Sequence, residues 1–183
     1  MHTLRIISGC RRGCKLKPPA GIETRPTTDR VKESVFNLLQ PWLPADSVLD
    51  LFAGSGALGI EALSRGAKQA VFVDRSKTAV QLIRENLDHA RLAEGAAVQH
   101  MDALAYLAGC GLAFDIIFLD PPYNCGLIAP VLAKIQERGL LHPDGVIVLE
   151  TEVGGEDAGS AFHILKAAKY GKTAVTLLEA YSR

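Results

Sequence analysis

Asp50-Leu51-Phe52-Ala53-Gly54-Ser55-Gly56-Ala57-Leu58-Gly59 joins a short apolar run to the start of a helical pattern. Glycines at this spacing permit a tight turn and a close backbone approach to a ligand at a helix N-terminus. A turn of small residues is common wherever a strand feeds a helix, so the surroundings decide its meaning. Apolar runs at residues 48–52, 70–73, 96–100, 114–119 and 145–150 alternate with helical patterns at 57–65, 76–92, 103–108 and 127–138. That alternation predicts an α/β fold with a mostly parallel, doubly wound, Rossmann-like sheet. Residues 162–169 and 173–181 flank Tyr170-Gly171 and predict a C-terminal antiparallel hairpin, which brings the sheet to seven strands. Further upstream, residues 4–8 and 14–17 read as a basic β-hairpin with Arg11 and Arg12 at its turn. A helix follows from Thr28 or Asp29, with Val31, Val35, Leu38 and Leu39 on one face and Pro41 and Pro44 at its end.

Of the 183 residues, 48% are apolar and 22% charged, which describes one domain over 1–183: an extension over 1–45 and a core over 46–183. The composition excludes a disordered tail, a collagen repeat and a disulfide-stapled miniprotein. No apolar run reaches the roughly 18 residues of a membrane span, and the first residues lack a signal-peptide core, so a cytoplasmic protein is expected. Cys10, Cys14, Cys110 and Cys125 have no zinc-site spacing, and no metal is expected. The formal charge is zero, yet residues 1–33 hold eight Lys or Arg against three acids and residues 34–183 hold twelve against seventeen. A basic arm on an acidic body is suited to a polyanion, or is a solvated edge.

Ligands of such a sheet gather at the carboxyl ends of its strands, and four of those ends carry an acid. Asp74 closes the second strand, where a carboxylate can accept both hydroxyls of a ribose; capping the next helix is its rival role. Asp50 precedes the glycine turn, where it would repel a dinucleotide pyrophosphate but suits the sulfonium and ammonium of S-adenosylmethionine, directly or through water. Asp102 can accept an adenine amino group or cap a helix. The cofactor wall is therefore expected from Asp50, Phe52, Ala53, Gly54, Ser55, Gly56, Asp74, Arg75, Asp102 and Ala103. At the fourth strand end, Asp120-Pro121-Pro122-Tyr123 makes a rigid turn whose acid and Pro121 carbonyl can both accept from a planar amino group, with Tyr123 able to stack on a base.

In these residues the chain resembles class I S-adenosylmethionine-dependent methyltransferases that act on amino groups, and more narrowly the RsmD family. The narrower resemblance rests on Arg5-Ile6-Ile7-Ser8-Gly9 and on Arg25-Pro26-Thr27-Thr28-Asp29-Arg30-Val31-Lys32-Glu33-Ser34, together with the glycine turn and Asp120 to Tyr123. It implies an enzyme that methylates the N2 amino group of a guanine in 16S ribosomal RNA; the expected substrate is an assembled or assembling small subunit, and a monomer is expected. Asp120, Pro121, Pro122 and Tyr123 would then carry the target base, and Arg11, Arg12, Lys15, Lys17, Arg25 and Arg30 would contact RNA phosphates beside it. Arg25 and Arg30 could instead pair with acids of the body. The family often has an aromatic residue where this hairpin has Cys10-Arg11-Arg12-Gly13-Cys14. An adenine-N6 methylase and a non-catalytic RNA assembly factor are the alternatives.

Overall fold

The computed structural model describes residues 4–19, 29–122, 125–155 and 161–181. Seven strands form one sheet in the order β3-β2-β1-β4-β5-β7-β6. They are β1 (Ser47–Asp50), β2 (Gln69–Asp74), β3 (Ala96–His100), β4 (Phe114–Leu119), β5 (Leu141–Glu152), β6 (His163–Tyr170) and β7 (Thr173–Glu179). The helices are α1 (Asp29–Leu38), α2 (Ala57–Ser64), α3 (Lys77–Ala90), α4 (Ala103–Gly109) and α5 (Ile128–Arg138). β1 to β5 run parallel, while β7 is antiparallel to both β5 and β6. This is the expected doubly wound sheet with its terminal hairpin.

Alternation along the central strands sorts the apolar residues into two layers. Val48, Ile116, Phe118, Val146 and Val148 face the arm, α1, α2 and α3. Leu49, Ile117, Leu119, Ile147 and Leu149 face α4 and α5. Strands covered on both faces read as unbroken apolar runs, which is why the sequence reveals them. Gly59 sets the spacing of α2, because a Cβ there would fall 2.3 Å from the Phe72 ring. Among the described residues no helix is long and apolar enough to cross a membrane, and no three His, Cys, Asp or Glu are grouped to hold a metal ion.

Three boundaries differ from the sequence expectation. β1 stops at Asp50, two residues early, because the chain turns once Leu51 N has donated to the Phe118 carbonyl. β5 begins at Leu141 instead of 145: Pro143-Asp144-Gly145 reads as a turn but lies in an excursion between the Phe114–Leu141 and Ile116–Val146 pairs. The arm hairpin is only a bridge between Arg5 and Lys15, with Ile6 N donating to Cys14 O, Gly13 N to Ile6 O and Leu16 N to Leu4 O. Arg12 N and Cys14 N bond within the turn, and five further backbone donors go to the body instead of to a partner strand.

Glu61 of α2 receives two of them. The fully buried carboxylate accepts from Ile7 N at 2.8 Å, Ser8 N at 3.0 Å, Arg65 Nε at 2.8 Å and Lys32 Nζ at 3.2 Å. Lys32, also buried, donates to the Arg5 carbonyl as well. Burial pulls its ammonium below the ordinary lysine range, against the raising effect of Glu61. One turn further, Ser64 Oγ accepts from Arg11 N and its carbonyl from Cys10 N. Gly9 lies so close that a Cβ would fall 1.8 Å from the Ser64 carbonyl oxygen. Glu61→Ala leaves Lys32 as an unpaired buried charge, so a loss of about 3–5 kcal/mol is expected in urea denaturation. A change under about 1 kcal/mol, the usual worth of an exposed ion pair, would mean that the carboxylate does not hold the arm.

Candidate functional site

The carboxyl edge of the sheet gathers the four expected acids at the ends of β1, β2, β3 and β4. Between β1 and α2 the chain turns through Gly54 and Gly56, at φ values of 54° and 77°. These left-handed conformations are open to glycine at little cost. Ala53 N donates to the Val73 carbonyl and Gly56 N to the Ala53 carbonyl. A Cβ on Gly54 would meet nothing within 4 Å, so this stretch of backbone faces open space.

Asp74 latches the turn. One oxygen accepts from Gly54 N at 2.9 Å and the other from Ser76 N at 2.8 Å. The α3 cap, the rival role for Asp74, belongs to Ser76, whose Oγ accepts from Ala79 N. Asp102 does cap its helix, with Oδ1 accepting from Leu104 N and Ala105 N. Arg75 is exposed, and its carbonyl accepts from or faces His100 Nε2 at 3.0 Å. Phe52 packs against the α4 and α5 layer, and Ala103 is buried at the start of α4.

Asp50 lies beneath the turn, 3% exposed, with Oδ2 accepting from Gly59 N in the first turn of α2 at 3.0 Å. Burial pushes its carboxyl up to about 7; the Gly59 N–H works the other way, and the charges of Asp120 and Asp74 add to the rise. The end of β4 thus lies within electrostatic reach of the first strand end. There Asp120 is half-buried, Pro121 buried and Pro122 exposed, while Tyr123 lies outside the described residues.

Asn86 of α3 is a participant that the sequence reading passed over. It is fully buried; its Oδ1 accepts from Lys17 N at 2.8 Å, and its Nδ2 donates to the Lys17 and Ser55 carbonyls at 3.1 and 2.9 Å. One amide therefore joins the arm, α3 and the glycine turn. A polar residue on the Val80, Ile83, Leu87 and Ala90 stripe was the available signal.

Arg11 of the arm is held away from this edge. Arg11 sits at the C-terminal ends of α2 and α3, where its backbone N donates to Ser64 Oγ and its Nη2 to the Arg91 carbonyl at 3.4 Å. Arg12 follows it, exposed. α3 has 14 residues and so is about 21 Å long, which puts Arg11 at the far edge of the sheet. Lys17 pairs with Glu85 at 2.9 Å, Arg5 with Asp29 at 2.7 Å, and Lys15 and Arg30 are exposed. Arg25 lies outside the described residues. Of the six expected cations, Arg11 is thus held at the C-terminal end of α3 and Lys17 against Glu85 within it.

A family model described as conserved hypothetical protein 95 matches residues 4–179. YlbH of Bacillus subtilis, which carries an rRNA methyltransferase name, is 42% identical over 95% of this chain and 97% of its own. Ribosomal RNA small subunit methyltransferase D of Escherichia coli is 41% identical over 82% of this chain and 75% of its own. The chain belongs to the RsmD family. The solved structure of YhhF from Escherichia coli, 36% identical, covers 99% of both chains with a TM-score of 0.87. In this RsmD-family member the stretch that carried the narrower resemblance, from Arg25 to Ser34, enters the described residues at Asp29 and forms the first half of α1.

The raised Asp50 carboxyl has a consequence for stability. The folded state holds the proton up to about 7, whereas an unfolded carboxyl loses it near 3.8. Stability present at the acid end of that window is lost as pH rises through it and is constant above. Asp50→Asn, which keeps an acceptor for Gly59 N–H, is expected to remove the decline. Urea titrations of both proteins inside and above the window check this, and parallel curves would contradict it.

Proposed function

We propose that this chain transfers a methyl group from S-adenosylmethionine to the N2 amino group of a guanine in small-subunit ribosomal RNA. The observation that carries the reading is the convergence of Asp50, Asp74 and Asp102 on one half of the carboxyl edge, with Asp120-Pro121-Pro122 next to them. The donor set fits that cofactor: carboxylates suit a ribose, an adenine amino group and two cationic centres, and would repel a pyrophosphate. Membership of the RsmD family supports the RNA substrate.

When bound, S-adenosylmethionine supplies a methyl group on a sulfonium, a good leaving group. The chain supplies position. Asp74 offers its carboxylate to the ribose and holds the turn through Gly54 N. Asp102 offers the adenine amino group the oxygen that does not cap α4. Phe52, Ala53, Ser55, Gly56, Arg75 and Ala103 complete the cofactor wall. Asp120 and the Pro121 carbonyl accept from the guanine amine and draw its lone pair out of conjugation and toward the methyl group. Guanine N1–H and N2–H form a donor pair that a two-oxygen carboxylate matches. With S-adenosylmethionine bound, the C–N bond would form as the C–S bond breaks, and the proton of the resulting ammonium would then pass to water, so no strong base is required. Rate comes from orientation and from exclusion of water. Tyr123 stacks on the base, and Lys15, Lys17, Arg25 and Arg30 take nearby phosphates, with Arg11 and Arg12 reaching RNA only at the far edge.

Asp120→Ala is expected to abolish most methyl transfer to small subunits lacking the modification while leaving cofactor affinity within a few-fold of the parent. Isothermal calorimetry and nucleoside mass spectrometry read the two effects; a parallel loss of binding would move Asp120 into the cofactor wall. Asp74→Ala should instead weaken S-adenosylmethionine binding by about 1–3 kcal/mol through lost charge-assisted bonds. Unchanged affinity would confine Asp74 to its contacts with Gly54 and Ser76.

A further inference from the structure

The β6–β7 hairpin rises beside the β4 end on the half of the edge that the cofactor acids leave free. Leu149 of β5 lies opposite Leu119, the last residue of β4, and β5 continues to Glu152, which pairs with Thr173 of β7. The turn between Tyr170 and Thr173 therefore stands three residues of strand, about 10 Å, above Leu119 and two above Asp120. Sideways, β7 is two strands from β4 and β6 three, about 10 and 14 Å. Asp50, Asp74 and Asp102 lie on the opposite side, on β1, β2 and the end of β3. A long substrate with one base over Asp120 has its open path across β5, β7 and β6.

β5 carries Glu150 and Glu152 on that path, and the positive charge lies beyond that strand, on β6 and its turn. Residues 163–172 contain Lys166, Lys169 and Lys172 and no acid. All three lysines are exposed, and none forms an ion pair among the described residues, unlike Arg5, Lys17 and Lys32 of the arm. Lys166 lies opposite Leu177, on the arm-side face, and Lys169 opposite Ala174, on the other. Together with Lys172 in the turn they straddle the sheet edge. The platform is held in place, since Val153 N donates to the Lys172 carbonyl at 2.9 Å and Tyr170 packs into the arm-side core.

We infer that Lys166, Lys169 and Lys172 form a phosphate-binding platform for the RNA strand flanking the target base. The inference deepens the proposed RNA methylation by assigning the surface along which the substrate lies. Each phosphate neutralised adds roughly 0.7 to 0.9 to the slope of log affinity against log salt.

The test compares the parent with the triple variant Lys166→Gln, Lys169→Gln, Lys172→Gln and with the corresponding Lys→Arg triple. The probe is the purified small ribosomal subunit from cells lacking this protein, in filter binding across a salt series. The Gln triple should lose at least tenfold in affinity at physiological salt, and its slope should flatten by roughly 2. Its thermal midpoint, S-adenosylmethionine affinity and kcat at saturating subunit should stay at parent values, and the Arg triple should bind like the parent. Equal affinity and slope for the Gln triple and the parent would overturn the platform, as would a loss that the Arg triple shares, which would indicate shape recognition by a protein. A parent that binds subunits but does not methylate them would overturn the proposed function, while the comparison of slopes still decides the platform.

Discussion

One buried carboxylate fixes where the arm sits. Glu61 accepts two backbone N–H groups of the arm, the ammonium of α1 and the guanidinium one turn along its own helix. A charge with no access to water is tolerated only when its acceptor sites are filled, so each of these partners is required to be where it is. Arg65 also lies over the Phe36 ring, with 4.6 Å to its centroid, which ties the ion cluster to the apolar layer beneath α1. α2 starts at the glycine turn and carries Glu61 in its middle. The same short helix therefore sets the distance between arm and turn, and Asn86 closes the circuit by bonding to both.

The carboxyl edge has the opposite character, because it concentrates like charges. Asp74 and Asp120 both raise the Asp50 carboxyl, which burial has already pushed up. Backbone donors offset part of the cost: Gly59 for Asp50, Gly54 and Ser76 for Asp74, Leu104 and Ala105 for Asp102. These contacts aim the carboxylates without neutralising them. The remaining repulsion discriminates between ligands, since a cation relieves it and a phosphate adds to it. A glycine turn at a helix N-terminus is open to phosphate elsewhere, and the acid beneath this one opposes that charge.

The parts legible in the sequence are those in which one residue type answers to one local demand. Buried parallel strands need unbroken apolar runs, and the turn from β1 to α2 needs glycine, so both were readable from residues 48–59. The β5 excursion was not, because Pro143-Asp144-Gly145 satisfies a turn whether the strand ends there or resumes beyond it. Asp102 shows another ambiguity: a helix cap and a ligand carboxylate have the same sequence signature, and the side chain has an oxygen for each. Glu61 and Asn86 were visible only as polar residues inside apolar helix faces, and nothing local told which distant backbone they would meet.

Charge counted along the chain and charge counted in space describe different surfaces. The first 33 residues look like one basic arm, but Lys32 is consumed by Glu61, while Arg5 and Lys17 stand in exposed pairs with Asp29 and Glu85. Arg11 is turned to the far edge by its bonds to Ser64 and Arg91. The acidic body, conversely, holds on its edge strand β6 and the turn after it three lysines that form no ion pair among the described residues. Part of the arm's basicity therefore serves to attach it, because a segment that adds almost no hydrogen-bonded strand of its own must draw its donors and ion pairs from the helices it covers. The sheet separates the two groups by geometry: helix C-termini at one edge receive the arm tip, and the strand ends at the other gather the four acids.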